Sequence, residues 1–120
     1  GTYIRTLCED MGEKLGCLGC MAALRRTRAG EYTVEKAVPL QTLLDAENPE
    51  QYLLSMDSPF LGYPAVTLSE NQEKRCRNGN SFTRPLPDGT YRAYGKDGTF
   101  LMLAKVENGV METVKSFFEV

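Results

Sequence analysis

The sequence contains no histidine. Histidine transfers protons at neutral pH, and it completes the Ser-His-Asp arrangement and most mixed zinc sites. All three kinds of site are therefore excluded. No other feature of the composition narrows the possible chemistry as much.

Long apolar runs are also missing. No segment approaches the roughly 20 consecutive apolar residues that a bilayer-spanning helix needs. The apolar fraction of 42% is nevertheless enough for a core, so disorder is not expected. A length of 120 residues fits one domain, or one small domain with part of another.

Cysteines are few and mostly isolated. Cys17 and Cys20 form a CLGC pair with metal or redox spacing, whereas Cys8 and Cys76 are single. A structural zinc needs four ligands, and a redox CxxC normally begins a helix after a strand, whereas CLGC follows a predicted helix. We therefore expect buried, reduced thiols and no metal, with zinc binding or redox chemistry as the alternative. Such cysteines are typical of a reducing cytoplasm, where we expect the protein.

The basic residues are grouped although the net charge is −2. The grouped side chains are Arg25, Arg26, Arg28, Lys74, Arg75, Arg77 and Arg84. A polyanion such as RNA can bind clusters of this kind despite an acidic total. The alternative, which is commoner for a run of charges, is that they only solvate the protein surface.

The first third of the sequence predicts a helix, two extended pieces and a second helix. The apolar side chains of residues 4–15 are Ile4, Leu7, Cys8, Met11 and Leu15. Their spacing is that of one helical face, and Gly16 ends the predicted helix. The extended pieces flank a turn at Ala29 and Gly30, and a short helix begins near Pro39.

A proline-rich stretch from Asn48 to Pro64 predicts a connector with one helical turn, and we place a domain boundary near Asp57. The two predicted domains are therefore residues 1–57 and 58–120. In the second, AVTL predicts a strand and SENQEKRCRNGN a polar helix with Ser69 as its N-cap. The turn signals PDG, KDG and ENG, with the last strand in VMETVKSFFEV, predict a small antiparallel β-barrel or roll. The predicted class is α+β.

Arg5 lies at the border of the apolar face of the first predicted helix, about 100° from Ile4. One interpretation is an arginine whose stem covers the edge of the core. The other is a cation held at a helix start to pair with a carboxylate in a cleft. The pattern alone favours the first.

Three stretches carry a resemblance to a known family. They are GTYIRTLCEDMGEKLGC, LRRTRAGEYTVEKAVPLQTLL and SMDSPFLGYPAVTLSENQEKRCRNGN. In this order they resemble the C-terminal half of the bacterial tRNA pseudouridine synthase B (TruB) family. GTYIR is the most specific and resembles the third catalytic motif of that family. Residues 85–120 resemble the end of a PUA-type RNA-binding domain mainly in their general pattern of short strands and turns.

The resemblance implies both a fold and a reaction. Residues 1–57 would be the C-terminal part of the catalytic domain, and residues 58–120 a PUA-like barrel that binds RNA. The implied reaction turns a flipped-out uridine of the tRNA T loop into pseudouridine, with an aspartate nucleophile. It implies no metal or organic cofactor. The implied partner is tRNA, through its T arm and acceptor stem, bound by a monomeric full-length enzyme without any membrane association.

The resemblance also assigns roles to individual residues. Arg5 corresponds to the arginine that pairs with the nucleophilic aspartate and keeps it ionised. Tyr3 corresponds to the tyrosine of the motif, close to the flipped base. Leu24 corresponds to the apolar residue that packs against the uracil. Arg25 and Arg26 follow it, where they could meet RNA phosphate.

Two departures from the family pattern shape our expectations. Cys20 stands where the family usually has a histidine that contacts RNA, which puts that contact in doubt. The GxLDxxAxG motif with the nucleophilic aspartate is not in this sequence. We therefore expect the chain to be a C-terminal piece of a longer synthase and to be inactive alone. The alternatives are a stand-alone PUA-type RNA-binding module and a thiol or metal protein that uses CLGC.

Overall fold

The computed structural model describes residues 1–118. They divide into two compact units, of which the first is Gly1–Val38 and the second begins at Pro39. Glu119 and Val120, the last residues of the predicted strand VMETVKSFFEV, lie outside the described residues. None of the helices in residues 1–118 is long and apolar enough to span a membrane.

The first unit begins with helix α1, Ile4–Leu15, as the apolar spacing predicts. Gly16 ends it in the left-handed conformation at φ 73°, which only glycine adopts without strain. Strands β1 (Arg28–Ala29) and β2 (Tyr32–Thr33) then pair antiparallel. The predicted helix and turn are thus confirmed, and the extended pieces are shorter than predicted.

The predicted apolar face of α1 is real but largely uncovered within residues 1–118. Gly12 is the one residue of α1 that is buried. Ile4, Leu7 and Met11 keep 38%, 41% and 55% of their surface exposed. Within the described chain the helix is therefore held mainly by contacts at Gly12.

The second unit opens with helix α2, Leu40–Asp45, which follows Pro39 as predicted. Two 3-10 turns come next, Pro49–Tyr52 and Ser58–Phe60. The prediction of a single helical turn is wrong, because each of two turns has a proline among its first two residues. The domain boundary predicted near Asp57 falls inside this unit and stays a prediction.

A five-stranded sheet forms most of the second unit. Its strands are β3 (Ala65–Thr67), β4 (Phe82–Thr83), β5 (Gly89–Tyr94), β6 (Phe100–Glu107) and β7 (Val110–Ser116). Their order is β3-β5-β6-β7-β4. The turn signals correctly predicted the antiparallel β5–β6–β7 meander, but β3 pairs parallel to β5. The prediction that all strands are antiparallel is therefore wrong. The long crossover from β3 to β5 lets these two strands run in the same direction.

Helix α3, Glu70–Arg77, lies in the crossover from β3 to β5. The predicted N-cap is confirmed, since Ser69 and Gln72 form a reciprocal capping box. Cys76 on this helix is buried, and its Sγ lies 3.4 Å from Sδ of Met102 in the core. One core therefore joins the helix to the sheet.

Side chains connect the two edges of the sheet. Arg84, next to β4, donates through Nη2 to the carbonyl of Thr67 on β3 (3.3 Å) and through Nη1 to Oε1 of Gln72 (3.2 Å). Gln72 in turn donates to the carbonyl of Thr83 (3.3 Å). These bonds bridge β3 and β4 without a backbone ladder between them. The sheet is mixed, and a PUA-like barrel stays a proposal.

A polar network attaches the connector to the sheet. Arg92 on β5 donates to the carbonyl of Tyr63 (2.8 Å) and to the hydroxyl of Tyr94 (2.7 Å). Tyr94 donates to the carboxylate of Asp57, whose Oδ2 lies 3.7 Å from Nη1 of Arg92. Hydrogen bonds from Ser55 and Tyr94, with a smaller contribution from the charge of Arg92, hold the pKa of Asp57 below its ordinary value.

This network predicts an acid-sensitive stability. Because the pKa of Asp57 is lower in the folded state, its stabilising effect is complete above the unfolded pKa of about 3.9 and disappears as the pH falls through the folded value. Asp57→Asn should therefore lower stability at neutral pH and reduce the loss of stability below about pH 5. Urea unfolding at several pH values measures both effects.

The matched control is Asp10→Asn, which removes an exposed carboxylate of α1. It should leave the dependence of stability on pH close to that of the parent. If Asp57→Asn and the parent lose stability equally steeply in acid, the network does not contribute as described.

Candidate active site and nucleic-acid interface

An open cavity of about 310 Å³ lies at the N-terminal end of α1. Its lining residues are Tyr3, Ile4, Arg5, Thr6, Met21 and Leu24. The cavity thus brings together the three residues to which the family resemblance assigns a catalytic role, Tyr3, Arg5 and Leu24. Tyr3 and Leu24 keep 82% and 60% of their surface exposed, so they can contact a bound molecule.

The start of α1 positions two of these side chains. The carbonyl of Tyr3 accepts the first helical hydrogen bond, from the N–H of Leu7 (3.0 Å), and Arg5 lies in the first turn. The free N–H groups of a helix start favour an anion nearby. Within the described residues Arg5 forms no hydrogen bond or ion pair, so its guanidinium is available to a carboxylate or phosphate.

The cavity combines a cation with apolar walls. A tyrosine ring and a leucine side chain are suited to contact a planar ring from its faces. A guanidinium can bind and orient a carboxylate through two parallel hydrogen bonds. No aspartate or glutamate of residues 1–118 lines the cavity, so a carboxylate nucleophile is not part of the lining that this chain provides.

The first basic cluster follows Leu24 directly. Arg25 and Arg26 are exposed and make no hydrogen bond or ion pair within the described part of the chain. Arg28 differs, because its Nε donates to the carbonyl of Gly30 (2.6 Å) and its Nη2 lies 3.5 Å from Glu31. Two of the three arginines are therefore fully available for a polyanion.

The second basic cluster is mostly engaged within the protein. Arg75 donates to the carbonyl of Ser81 (3.2 Å), and Arg84 bridges the sheet edges as described above. Arg77 donates through Nε and Nη2 to Oε1 of Glu73 (3.0 and 2.9 Å), and its guanidinium lies 5.3 Å from the ring centre of Phe118. Lys74 alone among the four makes no such contact within residues 1–118.

The sequence predicted these four cations as equivalent, and the structure separates them. The pairing of Arg77 was visible in its spacing from Glu73, since residues i and i+4 face each other on a helix. The contacts of Arg75 and Arg84 were not visible, because they depend on how the chain returns beside α3.

Comparisons with known proteins give matches to one family. Residues 5–60 match the model of the tRNA pseudouridylate synthase B C-terminal domain. A tRNA pseudouridine synthase B from Syntrophomonas wolfei is 36% identical over 117 residues, which cover 95% of this chain and 39% of that protein. One from Aquifex aeolicus is 35% identical over 113 residues, covering 92% of this chain and 39% of that protein.

The chain belongs to the tRNA pseudouridine synthase B family. It aligns with the C-terminal portions of its relatives and spans about two fifths of their length.

A solved structure has the same fold. It is described as an H/ACA RNP bound to a substrate RNA containing 2'-deoxyuridine. The superposition has a TM-score of 0.68 and covers 99% of this chain and 47% of that one, at 20% sequence identity. This likeness confirms the mixed α and β architecture.

The cysteines of this synthase-family chain do not all behave as expected. Cys76 is buried, and burial raises the pKa of its thiol. Cys17 and Cys20 are exposed, so the expectation of buried thiols is wrong for the CLGC pair. Those two lie in the loop after α1, and no buried core residue of the part of the chain that the structure describes belongs to that loop. Within residues 1–118, no group of three or more cysteine, aspartate or glutamate side chains could hold a metal ion.

The exposure of Cys17 and Cys20 predicts which thiols of the native protein react rapidly with a labelling reagent. Cys17→Ser combined with Cys20→Ser should keep the fold, remove the rapidly labelled thiols and leave the metal content unchanged. Elemental analysis, circular dichroism and thiol labelling of the native protein measure these effects. Cys76→Ser is the contrasting variant and should lower stability, because it places a hydroxyl beside Met102 in the core. One equivalent of zinc in the parent, lost in the double variant, would contradict the assignment.

Proposed function

We propose that this chain provides one side of the active site of a tRNA pseudouridine synthase, which isomerises a uridine in the T loop of tRNA to pseudouridine. The observation that carries the proposal is the convergence of Tyr3, Arg5 and Leu24 on one open cavity. Family membership supports the class of reaction.

The proposed reaction breaks the glycosidic C–N bond and forms a C–C bond between the same sugar and the same base. Substrate and product contain the same atoms in the same overall oxidation state, so the reaction consumes no co-reactant. The uridine must leave the stacked loop to reach the cavity. Tyr3 and Leu24 then contact the flipped base, which they hold while it turns.

Arg5 has the electrostatic role in this proposal. Its guanidinium pairs with a nucleophilic aspartate, which lowers the pKa of that carboxyl and fixes its direction. We place the aspartate in the part of the relatives that this chain does not match. Since no carboxylate of residues 1–118 lines the cavity, we expect the chain alone to convert no uridine.

The proposed RNA interface follows from the availability of the cations. Arg25 and Arg26 beside the cavity, and Lys74 on α3, are the primary phosphate contacts. Residues 58–120 form a PUA-like RNA-binding domain, and the T arm and acceptor stem of tRNA are the bound parts. A cytoplasmic location and a monomeric complete protein are further expectations.

The role of Arg5 is tested in the protein made from the complete reading frame that contains this chain. Arg5→Lys keeps the charge but loses the planar fork that orients a carboxylate. It should lower kcat by roughly 100-fold or more and change tRNA affinity little, because the lost interaction acts on the reaction step. Arg28→Lys is the control and should react normally, since Arg28 does not line the cavity. Near-normal turnover of Arg5→Lys would refute the assignment.

The RNA interface is tested by the dependence of tRNA binding on salt. Each phosphate contact contributes about −0.7 to −0.9 to the slope of log K against log salt. Arg25→Gln with Arg26→Gln should therefore flatten the slope by about one to two units. Arg77→Gln should flatten it less, because Glu73 already pairs with that arginine. Equal slopes for the parent and the double variant would remove Arg25 and Arg26 from the interface.

A further inference from the structure

The loop that follows α1 lies directly on the backbone of the helix. The carbonyl of Gly12 accepts hydrogen bonds from the N–H groups of Cys17 (3.2 Å) and Leu18 (3.0 Å). A Cβ atom on Gly12 would lie 2.2 Å from both the nitrogen of Gly19 and the carbonyl carbon of Leu18. Both neighbours are backbone atoms that cannot rotate away, so only glycine fits at this position.

The contact is close from the other side as well. A Cβ atom on Gly19 would lie 2.8 Å from the carbonyl oxygen of Cys8 and 3.3 Å from Cα of Gly12. Between the two glycines, Leu18 has a φ of 59°, a left-handed conformation that is rare for a leucine. Such a backbone persists only where its surroundings hold it, and here the helix does so.

Glycine at position 12 lowers the stability of α1 relative to alanine. A glycine inside a helix is clearly less favourable than an alanine at the same position. Gly12 lies within α1, and it is the residue of that helix that is buried. The close approach of the loop therefore explains why a glycine stands at position 12. Gly12 does not end the helix, which ends at Gly16.

The chain returns from this contact to the candidate active site. Residues 19–24 lead from the crossing to the cavity, where Met21 and Leu24 lie beside the first turn of α1. Gly12 lies eight residues after Ile4, which corresponds to a rise of about 12 Å along the helix. The five residues that follow Gly19, up to Leu24, can extend about 16 Å. The fully extended segment is therefore about a third longer than this rise, so the position of the crossing limits how far from it Leu24 can lie.

We propose that the backbone contact between Gly12 and Gly19 is a positioning device that sets the distance between the Leu24 wall of the cavity and Arg5. Gly12 and Gly19 are positioning residues, since neither lines the cavity. The geometric part of this inference stands alone, and its consequence for turnover rests on the proposed function.

The geometric part is tested in this chain by Gly12→Ala. The added methyl group should displace the loop and shift the methyl resonances of Met21 and Leu24. The helicity of α1 should persist, because alanine favours a helix. Gly62→Ala is the matched control, since its added methyl group meets nothing within 4 Å. Unchanged Met21 and Leu24 resonances in Gly12→Ala would overturn the proposal.

A milder variant keeps the test decisive if Gly12→Ala does not fold. In Gly19→Ala the closest backbone atom lies at 2.8 Å, against 2.2 Å in Gly12→Ala, so a smaller shift of the same resonances is expected. A folded Gly19→Ala with unshifted Met21 and Leu24 resonances would count against the proposal.

The functional part is tested in the protein made from the complete reading frame. Gly12→Ala should lower kcat at least tenfold with little change in KM for tRNA, because the long side chains of Arg25 and Arg26 can still reach phosphate after a displacement that misaligns the cavity. Gly19→Ala should lie between Gly12→Ala and the control. Displaced resonances with a normal kcat would refute the positioning role. A parent that makes no pseudouridine would instead refute the proposed function, while the resonance experiment would still decide the geometry.

Discussion

The backbone contact between α1 and its following loop is the constraint on which the first unit depends. The apolar face of α1 is largely uncovered within the described chain, so it contributes little packing there. The close approach at Gly12 and the two hydrogen bonds to its carbonyl hold the loop on the helix. From this contact the chain reaches Met21 and Leu24, which complete the cavity begun by Tyr3 and Arg5.

The second unit is stabilised by a buried core and by polar side-chain contacts. Its core lies between α3 and the sheet. Polar side chains connect the sheet edges and attach the connector. Arg84 and Gln72 connect the two sheet edges, and Arg92 with Asp57 attaches the connector. An arginine can connect segments in this way because its several N–H groups donate to carbonyl groups on separate segments at once.

This use of arginine changes how a basic cluster should be interpreted. A charge count treats all four cations of the second cluster alike, yet a guanidinium that already bonds carbonyls or a carboxylate gains less from a phosphate. Arg75, Arg77 and Arg84 have such partners, whereas Lys74, Arg25 and Arg26 have none within residues 1–118. The charges that a polyanion could bind therefore depend on which cations the fold leaves unpaired.

Local sequence patterns were enough to predict α1 and its end at Gly16, the N-cap at Ser69 and the β5–β6–β7 hairpins, and to indicate the family. These features depend on side-chain spacing, capping and turn residues within a few positions. The folded chain was needed to reveal the parallel pairing of β3, the exposure of Cys17 and Cys20, the partners of Arg84 and the need for glycine at position 12. Each of these depends on contacts between segments distant in sequence or between backbones, and no local pattern encodes them. The cavity lies between the two cases, since the family resemblance indicated Tyr3, Arg5 and Leu24 and the fold brought them together.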